Sequence, residues 1–114
     1  VEIGELEKKL LEANSWLFIK LKEQKKLIKD SAQKEHDYRI ALASKIVKLR
    51  AEGVPVTIMS DLSRGELGIA KLKLDRDIAK GMADACRQGI IAIQASMSGL
   101  QSLISTRRAE MELI

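Results

Sequence analysis

The chain holds one histidine, His36, and one cysteine, Cys86, and acid–base, nucleophilic or metal chemistry has to start from these two and the carboxylates near them. A hairpin folding near residue 60 would bring His36 within about a turn of Cys86 and Asp84, the best catalytic alignment on offer. The sequence lacks the rest of what such a site needs: a second histidine, zinc-ligand spacing, a phosphate-binding glycine loop or an oxyanion-forming turn. The carboxylate pairs Asp75 with Asp77 and Glu110 with Glu112 are spaced i, i+2, which points them to different faces of a helix. The residues therefore predict a non-enzyme with no cofactor and no metal. In that reading His36 is a solvated side chain between Glu35 and Asp37, and Cys86 is a small buried hydrophobe.

Whatever surface the chain offers must be positioned by helices. Of 114 residues 46% are hydrophobic and 32% charged, which fits a folded domain, while only Trp16, Phe18 and Tyr38 are aromatic and Pro55 is the one proline. There is no run of eighteen apolar residues, and the start lacks the basic-then-apolar pattern of a secretory signal, so a soluble cytoplasmic protein without a membrane segment is expected.

Apolar residues recur at three and four from the start to Glu52, predicting a first helix over about residues 4–52. Its expected seam runs through Leu10, Asn14, Leu17, Leu21, Gln24, Ile28, Ser31, Glu35, Tyr38, Leu42, Lys45 or Ile46, and Leu49. The polar middle, Asp30 to Asp37, fits a solvated stretch, a kink, or a buried polar pair that fixes register. Gly53 suits a left-handed helix cap and Pro55 forbids continuation, so residues 53–65 form a tip. Within it, Thr57 would cap a turn or two, and Ser63-Arg64-Gly65-Glu66 has capping-box spacing. A second helix over about residues 66–112 follows, with apolar residues Leu67, Leu74, Ile78, Met82, Ile90, Ile93, Met97, Leu100, Ile104 and Met111. The expected fold is a single domain, residues 1–114: an all-α, long antiparallel helical hairpin.

The second helix also carries a stripe of small residues, Gly81, Ala85, Gly89, Ala92, Ser96, Gly99 and Ser102. Glycine inside a helix costs about 0.8–1 kcal/mol relative to alanine, and close approach of another helix is the usual compensation. One partner helix cannot cover both this stripe and the larger face of Ile78, Met82, Ile93, Met97 and Leu100. Dimerisation into a four-helix bundle or coiled-coil-like assembly would, with Gly81, Ala85, Gly89, Ala92, Ser96 and Gly99 as the self-association residues.

The net charge of +4 is unevenly spread. Lys45, Lys48, Arg50, Arg64, Lys71 and Lys73 gather near the tip and are the candidate nucleic-acid contacts, although no aromatic residue is interleaved for base stacking. The tip also holds apolar side chains in a connection that needs none. Val54, Pro55, Val56, Ile58, Met59, Leu62 and Arg64 are the candidate partner-binding residues, and they serve equally well as a cap on the end of the bundle.

The stretch Arg50-Ala-Glu-Gly-Val-Pro-Val-Thr57, with Asp61-Leu-Ser-Arg-Gly65 and Leu74-Asp-Arg-Asp-Ile-Ala79, resembles small helical proteins of phages and prophages of Gram-positive bacteria. The resemblance covers roughly the middle third of the chain. It implies a phage origin, residence in the host cytoplasm and a role near DNA metabolism, and supplies no catalytic residues. The function expected is that of a self-associating adaptor presenting a basic tip to a macromolecular partner. The alternatives are a DNA- or RNA-binding accessory protein and an inhibitor of a host enzyme or defence complex.

Overall fold

The computed structural model describes residues 2–113, and among them every regular element is a helix: α1 (Ile3–Ala51), α2 (Val56–Gly65) and α3 (Leu67–Glu112). The protein is an all-α antiparallel helical hairpin with a short third helix in its tip. By contacts it divides into two compact units, Lys26–Ala83 and Val1–Lys25 with Asp84–Ile114.

The Lys26–Ala83 unit contains the reversal of the chain. Gly53 has φ +78°, its N–H donates to the Arg50 carbonyl and the Val54 N–H to the Leu49 carbonyl, both at 3.1 Å. These two bonds close α1 in a Schellman motif, and the left-handed residue it requires is the glycine that the sequence places there. Pro55, at φ −60° and ψ 138°, then opens α2. Thr57 lies one residue inside α2, which has no side-chain cap, so the expected Thr57 cap is not formed.

The capping box is also not formed as expected. Ser63 is 0% exposed and its Oγ donates to the Met59 carbonyl at 2.8 Å, so it is spent inside α2. Glu66 caps α3 by itself: its two carboxylate oxygens accept the N–H groups of Gly68 and Ile69, each at 3.0 Å. Those bonds to Gly68 and Ile69 hold the Glu66 carboxyl below its ordinary value, and the nearby Lys45 and Lys48 add to the effect. A helix N-terminus favours a carboxylate in this position.

In the same unit α1 turns Leu27, Ser31, Lys34, Tyr38, Ala41, Lys45 and Leu49 inward, and α3 turns in Ile69, Leu72, Arg76, Ala79 and Ala83. In the Val1–Lys25 and Asp84–Ile114 unit the covered residues are Ile3, Leu6, Leu10, Ala13, Leu17, Lys20 and Gln24 from α1, and Cys86, Ile90, Ile93, Met97, Leu100 and Ile104 from α3. Each set follows an alternating three-four spacing, the repeat of a coiled-coil seam.

The expected seams are thus partly displaced. On α1, Leu21 and Ile28 are exposed, and Lys20 and Leu27 occupy the covered positions instead. On α3, Leu67, Leu74, Ile78, Met82 and Met111 are exposed, with Leu67 at 85%. The physical reason is phase. Within the Lys26–Ala83 unit, seven-residue steps from Ile69 to Arg76 and on to Ala83 each keep the contact line within about 20°, whereas the nine-residue step from Ile69 to Ile78 rotates it by about 180°.

Candidate interaction surface

At the tip, α2 faces inward with Met59 and Ser63, one turn apart, and outward with Ile58 and Leu62, while Val56 at its first position is exposed. Of the candidate partner-binding residues, Met59 is therefore a core residue, Val54 is half-buried, and Pro55, Val56, Ile58, Leu62 and Arg64 are exposed, Val56 at 81%. Leu67, which opens α3, adds a further exposed apolar side chain.

The candidate nucleic-acid contacts separate by environment. Lys71 pairs with Asp75 at 2.9 Å, and Lys45 is half-buried. Lys45 lines a shallow open depression of about 350 Å³ with Leu49, Asp61, Leu62, Gly65 and Glu66. Two carboxylates against one ammonium make that depression a poor seat for a phosphate. Lys48, Arg50, Arg64 and Lys73 are exposed, and among the described residues none of these four forms an ion pair.

The polar middle of α1 carries a register lock that sequence reasoning left open. The Arg76 guanidinium on α3 lies 4.5 Å from the centroid of the buried Tyr38 ring and 3.4 Å from Glu35, while also donating to Asp77 at 2.9 Å. Arg39 donates to the same Glu35 at 2.6 Å, and this bond holds the Glu35 carboxyl below its ordinary value, with Arg76 and Lys80 contributing. An arginine reads as a surface residue. The signal that it is not is its place in the three-four repeat between Leu72 and Ala79.

Among the described residues the small-residue stripe is largely open. A Cβ built at Gly81, Gly89 or Gly99 meets nothing within 4 Å. Ala85, Ala92 and Ser96 are exposed and Gly89 is half-exposed. With Ile78, Met82 and Leu103, five of the six proposed self-association residues form a second three-four repeat on α3, distinct from the covered one; Gly81 falls beside it. This outer repeat contains no charged residue from Ile78 to Leu103.

His36 is exposed, whereas Cys86 is buried and its Sγ lies 3.6 Å from the Lys20 carbonyl that it can donate to. Among the described residues no three His, Cys, Asp or Glu side chains are grouped to hold a metal ion, and no helix is long and apolar enough to cross a membrane. No family model matches this chain, and neither a curated protein nor a solved structure is significantly similar to it.

Proposed function

We propose that this chain is a non-enzymatic interaction protein of phage type, which self-associates along its arms and presents a basic, apolar tip to a macromolecular partner in DNA metabolism. The observation that carries the reading lies in the tip: Val56, Ile58, Leu62 and Leu67 stand exposed in the same unit as Arg50 and Arg64, which form no ion pair among the described residues. Apolar side chains needed only to close a bundle end would be covered, as Met59 is. Exposed apolar residues rimmed by charge are the usual composition of a docking surface.

The test uses Ile58→Ser with Leu62→Ser, both at solvent-facing positions. Capture of a partner from host cells should be lost while thermal stability stays within a degree or two. A large loss of stability, with capture unchanged in the folded fraction, would make these residues a cap instead.

A second reading, direct binding of nucleic acid, is favoured by Lys48, Arg50, Arg64 and Lys73, four exposed cations without an ion pair among the described residues. Titration of duplex and single-stranded DNA over a salt series tests it, because affinity for phosphates falls steeply with salt. Absence of binding at about 50 mM salt would remove this reading.

A further inference from the structure

We infer that two copies pair through one side of the Val1–Lys25 and Asp84–Ile114 unit, with α1 lying antiparallel on α1 of the second copy about a two-fold axis level with residue 16. This rests on the proposal that the chain self-associates, and it names the surface and the orientation.

In this unit each covered residue of α1 from Leu6 to Gln24 is followed by a member of a second three-four repeat: Glu7, Leu11, Asn14, Phe18, Leu21 and Lys25. One residue turns about 100° around a helix, so this repeat faces nearly at right angles to the seam with α3. Leu11 is 69% exposed, Phe18 62% and Leu21 40%. Two such repeats one residue apart are the pattern of a helix packed between two neighbours, as in a bundle. The seam with α3 covers the first repeat and leaves the large side chains of the second open. The opposite shoulder of α1 differs in kind, because Glu5, Lys9, Glu12 and Glu23 surround Trp16 and Ile19 there.

The open repeat is self-complementary when reversed. An antiparallel register that sets Phe18 against Asn14 of the second copy also sets Leu11 against Leu21 and Glu7 against Lys25. Apolar side chains then meet in the middle and opposite charges meet at both ends, and the two-fold axis makes every contact twice. Lys25 is exposed and forms no ion pair among the described residues. Lys8 and Lys22 approach as like charges at the outer edge of the contact, where solvent and Glu12, one turn from Lys8, screen them. Parallel pairing of the same repeat would set Glu7 on Glu7 and Lys25 on Lys25, and like charges directly opposed are unfavourable.

Glu7 also shows which side of α3 accompanies this repeat, since Arg108 reaches it at 2.8 Å. That side carries Ile91, Gln94, Ser98 and Gln101, exposed and uncharged residues that each follow a covered one. From Glu7 to Lys25 α1 rises about 27 Å, and two packed helices present a face about 20 Å wide. The product is about 540 Å² per copy, or about 1,100 Å² in all, which meets the extent of a specific interface.

The test is carried out on the full chain in a Cys86→Ser background. Proteins carrying Leu11→Cys and Leu21→Cys are mixed and oxidised. Covalent dimers joining position 11 to position 21 should dominate, since only positions within about 7 Å between Cα atoms can bridge. Crosslinks joining 11 to 11 would overturn the orientation. Glu7→Lys and Lys25→Glu should each weaken association about tenfold, and an equimolar mixture of the two should recover it as a heterodimer in which both end pairs are again of opposite charge. A mixture that associates no better than either variant alone contradicts the register. Phe18→Glu should give a monomer of unchanged helicity. A dimer that survives Phe18→Glu and forms no 11–21 crosslink overturns this inference and leaves self-association standing. A wild-type chain that is monomeric at about 100 μM, well above the Kd of a specific dimer, overturns both.

Discussion

Arg76 of α3 stacks its guanidinium on the ring of Tyr38 in α1, 4.5 Å from its centroid, and reaches Glu35 one turn earlier at 3.4 Å. A cation on an aromatic face, with a carboxylate at its edge, fixes which residues of α1 and α3 face each other in this unit. Arg76→Ala should lower unfolding stability by about 1–2 kcal/mol, measured by urea denaturation. Arg76→Lys should recover less than half of that, because an ammonium lacks the planar fork that stacks and donates together. A double-mutant cycle with Tyr38→Leu should show coupling. Simple additivity would mean that the ring and the guanidinium do not interact.

The phase of the α3 seam yields the sharpest contrast in stability. Ile90 is buried and Leu74 is exposed. Ile90→Ala should cost about 2–4 kcal/mol, while Leu74→Ala should change stability by less than about 0.5 kcal/mol. Chemical denaturation of both variants settles the matter, and comparable losses would restore the seam through Leu74.

Two glycines should respond in opposite directions. Gly53 has φ +78°, so Gly53→Ala should destabilise by about 1–2 kcal/mol. Gly81 sits inside α3 with open space around it and beside, not on, the outer repeat. Gly81→Ala should stabilise by about 0.8–1 kcal/mol through helix propensity alone. Melting curves of the two variants should move apart from wild type.

Glu66 links the start of α3 to pH. Its carboxyl is held below 4.5 by the Gly68 and Ile69 amides in the folded chain, so the unfolded chain binds its proton first as acid is added. The stability it supplies is fully present above 4.5 and is lost as pH falls through the lowered folded value. Glu66→Gln should therefore be less stable than wild type at neutral pH, with the two stability–pH curves converging at acid pH. A difference that persists unchanged into acid would rule out the charge as its source.

The hairpin, the left-handed Gly53 and the buried Cys86 were legible because each depends on local chemistry: a φ only glycine adopts readily, a proline, a small apolar residue within a helical pattern. The cap of α3 was not. Ser63 and Glu66 have capping-box spacing, but Ser63 is enclosed at the tip and satisfies its hydroxyl on Met59, a tertiary burial that no four-residue pattern records.

The seam was misplaced for a related reason. Leu74, Ile78 and Met82 are the larger residues, yet Ala79 and Ala83 keep phase with Ile69, Leu72 and Arg76 in the same unit, and constant phase governs a two-helix contact. Lys20, Lys34 and Arg76 read as surface residues by type, yet all three are half-buried and keep the three-four spacing of the covered side, as long side chains with apolar stems can. At the tip, composition showed apolar residues but not their sides. That Met59 is inward while Ile58 and Leu62 are outward required the path of α2.

Self-association is the central claim, and sedimentation velocity of the unmodified chain at micromolar concentration tests it most directly. A chain of 12.7 kDa that pairs with a second copy should sediment with a mass of about 25 kDa, the sum of two copies. A single, well-folded species of 12.7 kDa across that concentration range would contradict the claim.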